Sequence, residues 1–358
     1  RGRLPLEDAD AIIYPSAMLG TLVTADQLAV VPDRLFQRSQ YAPQEIFPLL
    51  QGTAVRWGQQ RFAVPLGMPV VMLAYRSDLI PDGAELPASW EEWGDFIRAW
   101  HARAPEQGSD SEQGSDSPPV RPVVQTLAEG HAAVVFLARA AASVRHRSQY
   151  STFFDPESMQ PRIDNPAFVK ALRQMVADCE AGGGPRMLSP DESFEELVAG
   201  RAAMAIGRPL FRTSTLEERL GAHDASHLET VRFAPLPGAR AMYSAVDGRW
   251  EDRRTGESWD VPLLGVSGRL GSVLQSSRKK RPAWNLLLLL SGPQWGADIA
   301  ASSPESAPFR RSHQDRARDW MGPSWSPAAV NSWYAALESN LSAHEWLQLP
   351  RIPGSHDY

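Results

Sequence analysis

Short apolar runs alternate with amphipathic stretches along the whole chain, a pattern that predicts layered α/β structure. Residues 11–14, 62–64, 70–75, 123–126, 202–206, 231–233 and 263–266 read as strands. Several of these runs are apolar without interruption, as in strands covered on both faces. The helix signals between them are local and specific. Ser89 ahead of Trp90, Glu91 and Glu92 makes a capping box, after which Trp90, Trp93, Ile97 and Trp100 share one face. Asn165 followed by Pro166 starts a second helix. Its inward stripe reads as Phe168, Leu172, Met175, Val176 and Cys179, and the glycines at 182–184 stop it. Ser189, Pro190 and Glu192 open a third, with Phe194, Leu197 and Val198 inward and Gly200 at its end. Residues 282–290 are apolar on almost every side and read as a buried helix.

A chain of 358 residues is too long for one small core and fits two domains or lobes. With 43% apolar and 22% charged residues it should be globular. The formal charge of −6 argues against a nucleic-acid binder. No apolar run approaches the ~18–20 residues of a membrane span. The single cysteine, Cys179, excludes an internal disulfide and a multi-cysteine metal site, and reads as a buried small hydrophobe. Only three of the 36 basic residues are lysine (Lys170, Lys279 and Lys280), which we attribute to genome composition. Most of the 12 tryptophans are expected in the core. Residues 106–117 repeat the hexapeptide EQGSDS and have no apolar side chain to bury, so 103–122 read as a mobile, low-complexity surface insertion. Its spacing does not match a calcium-binding EF-hand loop. The chain begins at Arg1 without a signal-peptide pattern and ends at Tyr358 after a segment that reads as helix. We therefore expect a fragment, with any leader or lipid anchor outside it.

The signatures of catalysis are mostly missing. No Walker A sequence, GxGxxG fingerprint or GxSxG elbow occurs. His344-Glu345 lacks the second histidine of a zinc HExxH motif, since Gln348 stands there. His223 and His227 alone make a poor metal site. No carboxylate pair stands out as acid and base. Neither an enzyme nor a cofactor is expected.

Several consecutive segments do resemble one family, the carbohydrate-type extracellular solute-binding proteins of ABC importers, the wider family of maltose-binding protein. They are Asp10-Ala-Ile-Ile-Tyr-Pro-Ser16 with Leu19-Gly20, Trp57-Gly58 through Val64-Pro65-Leu66-Gly67, and Leu73-Ala-Tyr-Arg-Ser-Asp-Leu79. Leu86-Pro87-Ala-Ser-Trp-Glu-Glu-Trp93, Gly200-Arg-Ala-Ala-Met-Ala-Ile-Gly-Arg-Pro209, Ala234-Pro-Leu-Pro-Gly238 and Leu264-Gly-Val-Ser267 follow in the family's order. The resemblance starts some way into the family pattern, so the beginning of the first lobe is expected to be missing. It implies the two-lobed α/β periplasmic-binding-protein fold (type II), each lobe a sheet flanked by helices. On that basis residues 1–68 and 238–306 would form the first lobe, and 69–237 and 307–358 the second. The crossings would lie near 67–70, 236–238 and 307–310. The implied function is to bind a sugar or related small polar solute by hinge closure, as a monomer, and to deliver it to a membrane permease. The implied location is periplasmic or extracytoplasmic.

Sugar recognition needs flat apolar faces and fixed hydrogen-bonding groups at the strand ends that border the cleft. By resemblance and position the candidates are Tyr14 as a stacking ring, Ser16 as a ligand contact or helix cap, and Pro69 beside Met68 where relatives carry a polar contact. Glu129 and His131 follow a strand and open a helix, Glu129 reading equally as a charge complement to the helix dipole. Arg208 could fork onto ligand oxygens, Phe211 could stack, and Tyr243, Trp250, Trp325 and Trp333 are further aromatics. Tyr14→Ala and Arg208→Ala are expected to weaken solute binding with little effect on stability. Two other classes compete: a carbohydrate hydrolase, and a degenerate relative that binds a protein partner.

Overall fold

The computed structural model describes residues 8–80, 85–107, 120–208, 225–266, 268–301, 306–322 and 324–352. Its strands are β1 (Ala11–Pro15), β2 (Arg56–Trp57), β3 (Gln60–Arg61), β4 (Val64–Pro65), β5 (Met72–Arg76), β6 (Arg121–Gln125) and β7 (Ala202–Gly207). They continue with β8 (Val231–Ala234), β9 (Ala241–Ser244), β10 (Arg249–Asp252), β11 (Leu263–Leu264), β12 (Arg269–Val273) and β13 (Leu347–Gln348). The helices are α1 (Leu19–Thr24), α2 (Asp33–Phe36), α3 (Trp90–Gln107), α4 (Ala132–Val144), α5 (Pro166–Ala181), α6 (Pro190–Val198), α7 (Lys280–Leu290), α8 (Gly296–Ala301), α9 (Ala317–Met321) and α10 (Pro327–Leu341).

Two sheets organise the molecule. The first is antiparallel with order β1-β12-β4. The second has order β6-β7-β5-β8, with β6 and β7 parallel and β5 antiparallel to both β7 and β8. The uninterrupted apolar run of β7 follows from coverage on both faces. One face puts Leu73, Val123, Met204 and Ile206 against α3, α4 and α5, through Trp93, Ile97, Val135 and Phe168. The other puts Met72, Ala74, Ala205 and Phe233 against Phe194 and Leu197 of α6 and Trp333 of α10. This second core does not stop at the sheet. It runs on through Phe47, Leu50, Val64, Leu270 and Trp284, so one side of both sheets shares a single apolar interior.

The caps read from sequence are made. Asn165 Oδ1 accepts the amides of Ala167 and Phe168 at 2.9 and 3.2 Å. Ser189 and Glu192 close a reciprocal capping box. At α3, Glu92 donates its amide to Ser89 Oγ, but its carboxylate accepts from Ala88 rather than from Ser89.

Several expectations change. On α5, Leu172 and Val176 are half exposed, and the inward face is Ala167, Phe168, Ala171 and Met175. On α7, Leu286 and Leu289 each keep 53% of their surface, because the first sheet covers only one side of the helix. The 103–122 insertion is narrower than expected: α3 continues to Gln107, and β6 starts at Arg121. The EQGSDS repeat lies almost wholly outside the described residues. The crossing placed near 236–238 is not there. Gly238 bonds to Ala88 and Trp90 at the start of α3, and Ala239, Val261 and Leu263 pack in the α3–α5 core. The chain returns to the first sheet later, through 265–268. Residues 306–310, expected in the second lobe, pack beside the first sheet's surroundings, where Phe47 donates its amide to the carbonyl of Phe309.

Next to that segment lies a polar group with unusual burial. The Arg310 guanidinium is buried, donating to the carbonyls of Ser291 and Ala42 at 2.8 Å. His313 is 1% exposed, has no hydrogen-bond partner among the described residues on either ring nitrogen, and meets the Phe309 ring edge-on at 5.0 Å. Burial first, and then the Arg310 and Arg316 cations, pushes its pKa down to about 3. Between pH ~6.5 and that value the unfolded chain takes up a proton that the folded chain refuses. Stability should therefore fall with acidification through this window, at up to ~1.4 kcal/mol per pH unit from this group. Urea titrations of the parent and of His313→Phe across pH 4–7 should show the variant losing that part of the slope; equal slopes would exclude His313 as its source.

Candidate functional site

Strand direction sets which ends of the two sheets meet. From the end of β4 the chain passes through residues 66–71 into the start of β5, and through 265–268 into the start of β12. Met72, at the start of β5, pairs with Gly207 at the end of β7, beside which β6 also ends. In the first sheet Pro15, at the end of β1, pairs with Arg269 at the start of β12. The ends of β1, β4, β6 and β7 therefore all point into the region between the sheets. Loops following such strand ends are the usual place for a ligand in α/β folds.

The links themselves are tightly bonded. Met68 donates its amide to Ala307 O at 3.3 Å, Arg269 to Gly67 O at 2.9 Å, and Ser16 to Gly268 O at 3.0 Å. Gly67 sits at φ +132°, and a Cβ there would lie 2.6 Å from Ser306 Cβ. Only glycine lets these two segments run side by side. A further connection leaves the parallel pair β11–β13: Arg351 donates to the carbonyls of Ala54 and Arg56 at 2.9 and 3.1 Å, near β2.

Five of the sequence candidates fall around this region. Ser16 follows β1, is 2% exposed, and begins a 3-10 turn without capping it by its side chain. Pro69 is half-buried in the first link. Glu129 is exposed and His131 half-buried, on the turn between β6 and α4 that Gly130 forms at φ +76°. Arg208 follows β7 and lines a small cavity with Thr126, Pro190 and Ser193 at the capped start of α6. Thr126 was not singled out from sequence; its hydroxyl donates to Ile206 O at 3.3 Å. Its position at the end of an apolar run was the available signal.

The other candidates lie elsewhere. Tyr14 is not a stacking surface: it is 4% exposed, and its hydroxyl bonds Ser272 Oγ at 2.7 Å, which in turn donates to Phe62 O. β1 points its alternate side chains into the core, and residue 14 faces inward. Trp325 and Trp333 are also core residues at 1% exposure, Trp325 stacking with Phe194 at 5.7 Å. Tyr243 and Trp250 meet edge-on at 5.5 Å on the β9–β10 hairpin, with Lys170 of α5 over the indole at 4.9 Å. Trp250 borders a groove of about 710 Å³ along α5 rather than the strand ends. Phe211 and His223 lie outside the described residues. Among the described residues no group of three or more His, Cys, Asp or Glu side chains is placed to hold a metal, and no helix is long and apolar enough to cross a membrane.

No protein-family profile and no curated protein matches the chain. Solved structures do. The sugar-binding protein MalE of the phytopathogen Xanthomonas citri superposes with a TM-score of 0.67 at 18% identity, over 97% of this chain and 75% of that one. A solute-binding protein of an ABC transporter from Agrobacterium radiobacter, in complex with ribitol, gives 0.63 at 14% identity over 98% and 77%. One from Agrobacterium vitis with bound D-mannitol gives 0.60 at 17% identity, again over 98% and 77%. The chain has the two-lobed fold of ABC-transporter solute-binding proteins. The proteins it resembles are binders rather than enzymes.

Two substitutions separate packing from binding at this site. Tyr14→Ala should cost about 3–5 kcal/mol of stability by opening a buried cavity, in place of the small effect expected from sequence. Gly67→Ala should cost about 2 kcal/mol or more through its positive φ and the Ser306 contact. Urea unfolding midpoints measure both; values within ~0.5 kcal/mol of the parent would place the residue outside the packed links.

Proposed function

We propose that this chain binds a sugar or polyol between the facing strand ends of its two sheets, as the solute-binding component of an ABC importer. The observation that supports this reading is the arrangement of the links. They join the sheets on the side where one apolar core is shared, and they leave the strand ends as the surfaces able to approach each other. In this reading the first lobe consists of residues 8–66 and 269–316, and the second of 72–264 and 327–349. The lobes close on solute by bending at 67–71 and 265–268.

The chemistry at the strand ends suits a polyhydroxylated solute. Arg208 carries a fork of donors, Glu129 is an acceptor, His131 can be either, and Pro69 offers a flat apolar surface from the other side. With no Phe, Tyr or Trp ring among these residues, the site favours a small sugar or alditol over a long oligosaccharide, for which stacked rings carry much of the contact. Function then requires an extracytoplasmic location and a membrane permease that recognises the closed form. A single chain with one cleft suffices.

A thermal-shift screen against maltose, mannitol, ribitol and monosaccharides, with amino acids as controls, tests the reading. A solute at ~100 times its Kd should add ~2.7 kcal/mol. Arg208→Ala should melt like the parent yet bind that solute at least tenfold more weakly by calorimetry. A cooperative melt unmoved by every sugar and polyol would reject the proposal.

A further inference from the structure

Helix α7 carries a surface that neither its own stability nor solute binding explains. Its N-terminal end is the run Arg278-Lys279-Lys280-Arg281, four consecutive cations in a chain of net charge −6, containing two of its three lysines. The first turn of α7 holds no acidic residue. Positive charge at this end opposes the helix dipole, so the run destabilises the element that bears it. Its local compensation is slight. Lys279 Nζ lies 3.5 Å from Asp10, with the lysine side chain largely in solvent, and Lys280 donates to Gln275 at 3.3 Å. Among the described residues Arg278 and Arg281 pair with nothing, and both are exposed.

The same helix face then turns apolar. Arg281, Pro282, Asn285, Leu286 and Leu289 recur at helical spacing, and all are exposed. Leu286 and Leu289 are each 53% exposed, and Trp295, six residues beyond Leu289, is 48% exposed. Arg38, from the segment after α2, adds a fifth cation by donating to Asn285 Oδ1 at 3.2 Å. The opposite face is anchored: Ala283, Trp284, Leu287 and Leu288 are buried against the first sheet.

We propose that this outer face of α7 is a docking surface for an anionic phospholipid bilayer. The cations would sit among the phosphate headgroups, and Leu286, Leu289 and Trp295 would enter the interfacial zone. Basic residues flanking leucines on one helix face, here with an indole in the turn that follows the helix, are the composition that interfacial helices use. An indole, with an apolar body and one N–H, suits the headgroup boundary. A protein partner of comparable acidity would need to match both the charge run and the leucine pair, whereas an anionic bilayer supplies both at once. The inference does not depend on which solute the protein binds, or on whether it binds one.

Co-sedimentation of the chain with phosphatidylglycerol–phosphatidylcholine vesicles tests it at low ionic strength. Binding is expected to anionic vesicles and not to pure phosphatidylcholine, and to weaken as salt is raised. Lys279→Gln with Arg281→Gln should weaken partitioning about 25-fold, from about fivefold per cation. Leu286→Ser with Leu289→Ser should weaken it at least tenfold. Both pairs are exposed, so their melting curves should match the parent and show that folding is intact. No sedimentation with anionic vesicles would overturn the proposal, and so would parent-like sedimentation of either variant.

Discussion

One apolar core that belongs to both sheets is the constraint from which the rest of the molecule follows. Phe194, Phe233, Trp325 and Trp333 from the second sheet's side are continuous with Phe47, Leu50, Leu270 and Trp284 from the first. Separating the sheets on that side would expose aromatic surface at ~25 cal/mol per Å², a large cost against the stability of any domain. In the proposed closure, relative motion is confined to the opposite side and absorbed by the backbone links at 67–71 and 265–268. Gly67, pressed against Ser306 and bonded through its carbonyl to Arg269, sets how closely those links run.

Burial of charge follows the same logic. In the α3–α5 core the Arg139 guanidinium pairs with Asp178 and lies 4.2 Å from the Trp90 ring. Burial pushes Asp178 up and Arg139 down, each opposed by the other's charge. Removing one partner would strand the other in an apolar layer, a loss far larger than the pair's net worth. Near the shared core, Arg310 is held by backbone carbonyls and the Tyr41 ring at 4.6 Å, with no carboxylate partner among the described residues. Arg310 thereby ties the segment at 306–310 to the carbonyls of Ala42 and Ser291.

What was legible in the sequence was local. The caps at Asn165 and Ser189 are formed by residues within three positions of one another, so their chemistry appears in any short window. The continuous apolar run of β7 likewise reported two-sided cover. Exposure was harder to read, because it depends on what happens to pack nearby. Leu172 and Val176 on α5 fit an inward stripe, and Leu286 and Leu289 on α7 lie in a run apolar on almost every side, yet all four are about half exposed. Tyr14 illustrates the reverse error. An aromatic at a strand end looks like a ligand surface, yet the alternation of β1 turns it inward to Ser272, 258 positions away. The second crossing was misplaced for the same reason. Gly238 reads as a boundary, but its bonds to Ala88 and Trp90 are long-range pairings that leave no local trace.

The decisive observable is the change in shape on binding. Small-angle X-ray scattering of the chain, alone and saturated with whichever sugar or polyol stabilises it, reports the radius of gyration directly. Closure about the links at 67–71 and 265–268 predicts a smaller radius in the saturated sample, reversed when the solute is dialysed away. An identical scattering curve from a demonstrably saturated sample would contradict a cleft that closes, and would place the solute on a surface of one lobe.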